Sequence, residues 1–215
     1  MDLLKLKHLY NLKMVGEEYF DGFNRVVDDV KINSGSLSEL SDIVKNCNLC
    51  NLSKTRHNAV FGKGNPNADI FFVGEAPGEQ EDLNGEPFVG RAGELLTKII
   101  ESTLFLKREE VYISNVVKCR PPFNRVPLEE EVHSCKGFLL QEIEFVKPKI
   151  IVCLGKTAYH YLMNDDTAIS KVRGKIFDFN GMKLIPTFHP SYLLRNPSKK
   201  VEVFQDMKII RSFLL

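Results

Sequence analysis

Four cysteines stand at positions that suit a thiolate site. Cys47 and Cys50 form a C-x2-C pair, fifteen residues separate Cys119 from Cys135, and sixty-eight lie between Cys50 and Cys119. A zinc ribbon would show a second C-x2-C pair, which the chain lacks. Four thiolates so spaced suit either a zinc site or an iron–sulfur cluster. Cys135 has a competing reading, because Leu128, Val132, Cys135 and Leu139 fall on one helical face and could simply be core. Cys153, inside "IIVCLG", reads as core. A second group of chemistry-bearing residues lies in "GEAPGEQEDLNGEPFVGRAG" (74–93), which mixes carboxylates with five glycines and one phenylalanine. A connection in an α/β unit needs two to six residues. Glycines at this density let something approach the backbone closely. Asn115, ending "VYISN", and His189, in "FHPS", add an amide that both donates and accepts and an imidazole just beyond a strand.

These residues need elements to position them. "IFFV" (70–73) and "IIVCLG" (150–155) read as fully buried strands, and "VYISNVV" (111–117) as a third. "KIFDFNGMKLIPTFHP" (175–190) reads as a hairpin about Asn180-Gly181, whose second arm delivers Phe188 and His189. Ser36 and Glu39 form a capping box that starts a helix running to about Lys45. Further helices are expected over 92–106, from Pro127 to before Pro148, over 156–163, and from about 199 to the end. The segment "FGKGNPNAD" (61–69) is turn-rich. Strands alternating with helices predict an α/β fold: a central, mainly parallel four-stranded sheet covered on both faces. Ligands of such sheets bind at the carboxyl ends of the strands. That rule gathers "GEAPG", "SNVVKCRPP", "CLGK" and "FHPS" along one rim.

The chain has 215 residues, 43% hydrophobic and 27% charged, with a net charge of +1. No global field therefore attracts a polyanion, and any nucleic-acid partner must be held by local patches. Residues 1–35 form a weakly patterned extension ending in the linker "INSGS", and residues 36–215 form the domain. Lys5, Lys7 and Lys13 interrupt the first apolar residues, so no signal-peptide core forms. No stretch approaches the roughly 20 apolar residues of a membrane span. An odd number of cysteines without a secretory signal predicts a reducing compartment, the cytoplasm.

Together "GEAPGEQED…GEPFVGRAG", "NVVKCRPP" followed by "NR", "HPS", and the cysteine pattern resemble the iron–sulfur (family 4) uracil-DNA glycosylases over about residues 40–215. The resemblance implies a three-layer α/β/α sandwich and a [4Fe–4S] cluster on Cys47, Cys50, Cys119 and Cys135. It also implies a DNA-repair enzyme that flips uracil from single- or double-stranded DNA and hydrolyses its glycosidic bond as a monomer. A non-catalytic, metal-stabilised nucleic-acid-binding protein of the same fold is the alternative. An electron-transfer protein would leave "GEAPG" and "HPS" without a purpose.

The chemistry assigns roles within that resemblance. An extruded base needs a flat apolar surface, and the resemblance gives that role to Phe88, which composition alone would read as core. Asn115 can accept from uracil N3–H and donate to O4, a pattern that cytosine inverts; its bland reading is a turn cap. His189 is placed to donate to O2 as negative charge develops there, with Gly74 and Ala76 bringing backbone N–H groups near. The better-known enzymes of the superfamily carry an aspartate one residue after the position of Glu75, where this chain has Ala76. Glu75 is then expected to orient water or hold the loop, with Glu79, Glu81 and Asp82 nearby. DNA contacts are expected from Lys118, Arg120 and Arg125 beside Cys119, and from Ser191, Tyr192, Arg195, Lys199 and Lys200. Tyr192 and Leu193 are candidate wedges. Phe123, an aromatic in a polar loop, has no assigned role.

Overall fold

The computed structural model describes residues 34–214. The chain divides into residues 1–31 and 32–215, so the expected extension lies outside the described residues except for Ser34 and Gly35. One sheet runs in the order β1-β3-β2-β4-β6-β5. The strands are β1 (Lys63–Gly64), β2 (Ile70–Gly74), β3 (Tyr112–Asn115), β4 (Ile150–Leu154), β5 (Phe177–Phe179) and β6 (Met182–Thr187). β3, β2, β4 and β6 are mutually parallel, while β1 and β5 are antiparallel edges. The expected four strands thus become six. β1 spans two residues, too few to leave a periodic signal inside a turn-rich segment. β5 is the first arm of the hairpin, which closes through Asn180 (φ 51) and Gly181 (φ 83) in the left-handed conformation a two-residue turn demands.

Alternation along the strands divides the core. Phe71, Val73, Ile151 and Cys153 enter one apolar cluster, whereas Ile70, Phe72, Ile150 and Val152 enter the other. The first cluster is covered by α1 (Leu37–Lys45), α4 (Glu129–Val146) and α5 (Lys156–Met163). The second is covered by α3 (Arg91–Ile99), α7 (Pro190–Arg195) and α8 (Lys200–Arg211). Two short helices, α2 (Glu79–Asn84) and α6 (Ile169–Val172), lie in the connections. This is the three-layer α/β/α arrangement. Among the described residues no helix is long and apolar enough to cross a membrane.

Helix ends follow local chemistry. Ser36 Oγ accepts from Glu39 N–H at 3.2 Å, and the Glu39 carboxylate returns to Gly35 N–H at 2.7 Å. Glu131 accepts from Leu128 N–H at 2.8 Å to open α4. Lys147 (φ 49) closes that helix one residue before Pro148. The helix expected over 92–106 regularly spans only Arg91–Ile99, then loosens into a π-type turn over Ile100–Leu104 and stops at Phe105 (φ 57).

One buried polar cluster anchors the end of β3 to α4. Lys118 is 1% exposed, and its Nζ donates to Glu142 at 2.5 Å, Ser114 Oγ at 2.7 Å and the Asn115 carbonyl at 2.8 Å. The other Glu142 oxygen accepts from Gly62 N–H at 2.9 Å. Lys118 is therefore a buried strut and not a surface phosphate contact. Removing one member strands a charge, which typically costs about 3–5 kcal/mol. Lys118→Met should lose stability of that order in urea denaturation; a loss below about 1 kcal/mol would show that the cluster does not anchor the loop.

Candidate active site at the carboxyl ends of the parallel strands

The tails of the four parallel strands meet around a cavity of about 560 Å³. Glu75 and Ala76 follow β2, Asn115 ends β3, Gly155 follows β4 and His189 follows β6; all four segments contribute to its wall, together with Phe88. Backbone bonds from Val116 N–H to Gly74 O (2.9 Å) and Val117 N–H to Glu75 O (3.2 Å) zip the first two tails together.

The long loop after β2 is built to present Phe88. Glu81 accepts from Gly78, Val89 and Gly90 N–H at 3.1, 3.0 and 2.9 Å, folding the segment about its own carboxylate. Asp82, buried, accepts from His57 N–H (2.9 Å), Asn58 N–H (3.2 Å) and His57 Nδ1 (2.8 Å), fastening the loop to residues 57–58. Phe88 itself sits at φ 55, a left-handed conformation unusual for a bulky side chain. Two glycines make this possible. A Cβ on Gly93 would stand 1.9 Å from the Phe88 carbonyl oxygen, and one on Gly74 would stand 2.5 Å from Phe88 Cζ and 2.3 Å from Asn115 Oδ1. The Phe88 and His189 rings lie 5.7 Å apart between centroids, tilted by 35°. Phe88, Asn115 and His189 therefore face one common volume.

Asn115 is 1% exposed, and its Oδ1 has no hydrogen-bond partner among the described residues. An unpaired buried acceptor costs about 1–3 kcal/mol, a cost that a ligand N–H in the cavity would remove. His189 caps α7: its Nδ1 accepts from Ser191 N–H at 3.1 Å and faces Ser191 Oγ at 2.8 Å. That contact leaves the proton of the neutral ring on Nε2. Burial, and secondarily the charge of Arg195, pull the His189 pKa down to about 4, so the imidazole is neutral near pH 7. Glu75 accepts a short hydrogen bond from Thr157 Oγ1 in the first turn of α5. It lines the cavity while tying the first loop to the third.

The four cysteines lie near enough to act on one another electrostatically, with Cys119 and Cys135 buried and Cys47 and Cys50 packed against the same apolar cluster. Arg56 Nη1 donates to Cys119 Sγ at 3.0 Å, while Nη2 holds the carbonyls of Cys47 (2.7 Å) and Lys45 (3.1 Å). Lys118 N–H points at Cys135 Sγ, 3.3 Å away. Burial pushes the Cys135 thiol up to about 12 and also raises Cys50 and Cys119, with Arg56 opposing the rise at Cys119. Among the described residues no three His, Cys, Asp or Glu side chains are spaced to hold a single metal ion. Cys153 is a fully buried core residue.

The expected DNA contacts divide. Ser191, Tyr192 and Arg195 line the cavity mouth, and the Tyr192 ring packs on Phe188 at 5.0 Å. Arg125 grips Glu131 through two hydrogen bonds of 2.7 and 2.8 Å, and Lys199 is paired with Glu202 at 2.6 Å. Arg120 holds Asn124 Oδ1 at 2.8 Å and stands 3.5 Å from Glu79. Leu193 is fully buried in the second core cluster and cannot act as a wedge.

A family profile described as the Uracil DNA glycosylase superfamily matches residues 61–208. The chain is 50% identical over 179 residues to a type-4 uracil-DNA glycosylase of Thermotoga maritima, covering 81% of this chain and 93% of that protein. It is 45% identical to one of Archaeoglobus fulgidus (81% and 92% covered) and 44% identical to one of Saccharolobus solfataricus (83% and 87%). The chain belongs to the uracil-DNA glycosylase superfamily. The proteins it most resembles among these carry the type-4 name.

Two outcomes follow from the geometry. Gly74→Ala should leave the fold intact but lower turnover about 10²-fold or more, since Asn115 and Phe88 must move apart; unchanged turnover would mean the cavity is not used. His189 has a folded pKa of about 4 against 6.5 when free, so the unfolded chain takes up its proton first as pH falls. His189 thus costs stability progressively between about pH 6.5 and 4. The His189→Gln variant should gain on the parent across that window in denaturation curves; parallel pH profiles would place His189 outside a desolvated site.

Proposed function

We propose that the protein removes uracil from DNA by hydrolysing its N-glycosidic bond, leaving an abasic site for repair. One observation carries this reading: the unpaired Asn115 Oδ1, buried at the end of β3 in the cavity that Phe88 and His189 also line. A flipped uracil stacks on Phe88, presents N3–H to Asn115 Oδ1 and takes a hydrogen bond at O4 from the same amide. Cytosine offers the opposite pattern on both atoms and leaves buried groups unpaired, a penalty of several kcal/mol. His189 Nε2–H donates to O2 as charge accumulates on the departing base, helped by backbone N–H groups about Gly74, Glu75 and Ala76.

Water completes the reaction without an aspartate in the usual place, because position 76 is alanine. Glu75, fixed by Thr157, positions water at the cavity wall, and leaving-group stabilisation supplies most of the rate. Glu75→Gln should retain most of its turnover, whereas a loss beyond about 10⁴-fold would mark Glu75 as an essential general base. His189→Asn should lose about 10²–10³-fold, the usual loss for one donor to a developing anion. The direct assay is alkaline strand scission of oligonucleotides carrying one uracil, single- and double-stranded. Retention of DNA without scission would favour the non-catalytic binder.

Cys47, Cys50, Cys119 and Cys135 hold a [4Fe–4S] cluster in this reading. The donors Arg56 Nη1 and Lys118 N–H suit ligating sulfurs, and thiols buried this deeply ionise only against a cation. When bound, the cluster ties residues 47–50, the loop after β3 and α4 into one unit, stiffening the loop that carries Arg120 and Arg125. The catalytic domain spans residues 36–215 and works as a monomer in the reducing cytoplasm.

A further inference from the structure

Phe123 is 99% exposed, the most exposed large apolar side chain among the described residues. Single exposed apolar residues are ordinary on protein surfaces; this one is held there against its own preferences. Its backbone is left-handed at φ 56, and Asn124 follows at φ 54. A bulky residue at positive φ is an outlier that persists only where its surroundings enforce it. Here they do. Pro121 and Pro122 restrict the approach, Asn124 N–H bonds Pro121 O at 3.0 Å, and Arg125 N–H bonds Pro122 O at 3.2 Å. Arg120 Nε holds Asn124 Oδ1 at 2.8 Å, and Glu131 grips Arg125 from α4. Other exposed aromatics are covered by cations: Arg211 stands 4.2 Å over Phe105, and Lys208 4.6 Å over Phe204.

The position of this rigid tip gives it meaning. Pro121, Asn124 and Arg125 line the cavity that takes the flipped base, and Phe123 stands between them, outside the wall. A strand that delivers one nucleotide into the cavity must run past this rim with its neighbouring bases unstacked on one side. Phe123 offers a flat, pre-ordered face to such a base, and Arg120 and Arg125, held by Asn124 and Glu131, brace the tip from within the loop. Stacking of this kind tolerates any base, because every base has a π-face.

We propose that Phe123 stacks on a DNA base adjacent to the extruded uracil and holds the strand in register with the cavity. The proposal rests on the glycosylase reading above. The chain contains no tryptophan, so Phe123→Trp places a sole tryptophan at the tip, excited selectively beyond the absorption of the tyrosines. Its emission should be quenched on titration with a uracil-containing oligonucleotide. Phe123→Gly removes the ring while suiting the left-handed backbone, and should weaken DNA binding about 10- to 100-fold. Phe123→Tyr should keep binding, and inhibition by free uracil should be unchanged in every variant, because the ring is not part of the cavity. Full-strength DNA binding by Phe123→Gly would overturn the proposal. So would tryptophan emission that stays constant while anisotropy reports saturation. Uracil excision by the parent protein, scored by alkaline scission, tests the underlying reading separately.

Discussion

The site depends on a close approach that tolerates no Cβ. Gly74 ends β2 where the amide of Asn115 and the ring of Phe88 both press on its α-carbon. Parallel pairing of Gly74 with Asn115 in register brings the amide there, and the Glu81-centred loop brings the ring. Everything else supports this contact. Gly93 lets α3 start against the Phe88 carbonyl. Lys118 holds the Asn115 carbonyl, so the Asn115 side chain is fixed through its own backbone.

The wall behind the cavity is also continuous with the cysteine group. Lys118 Nζ braces Asn115 while its backbone N–H faces Cys135, and Cys119 is the next residue. Lys118 therefore links the cysteine group to Asn115 through a single residue. The same loop then passes Arg120 and the Phe123 tip before entering α4. The proposed base-reading amide, one proposed thiolate ligand and the proposed DNA-facing rim are successive stations on residues 115–125.

Much of this was legible in the sequence, for a physical reason in each case. β2 and β4 stand out as short, wholly apolar runs, β3 and β6 as mixed runs, and the tails of all four as segments whose composition no turn requires. β1 does not, being too short, whereas β5 was legible as the first arm of the hairpin about Asn180-Gly181. Asn115 and His189 drew attention in the sequence because each sits at or just past a strand end with chemistry suited to a pyrimidine, whereas Phe88, deep in the loop after β2, did so only through the family resemblance. Arg56, Glu81 and Asp82 were less legible, because Glu81 and Asp82 accept from backbone N–H groups and Arg56 donates to a sulfur and two carbonyls, partners whose proximity only the fold creates. The Glu81 role did leave a trace, three residues after Gly78 at the start of a helix. Lys118 misleads as one of several nearby cations; its burial follows from Glu142, twenty-four residues away. Leu193 misleads because a six-residue helix shows too little period to say which face is inward.

The central claim is that Asn115 Oδ1 waits, unpaired, for the N3–H of a bound uracil. Competition of the DNA reaction by free uracil and by N3-methyluracil tests it most directly. Inhibition by uracil with none by the N3-methyl compound, a difference erased in Asn115→Ala, is the result this account predicts. Equal inhibition by the two compounds would contradict it.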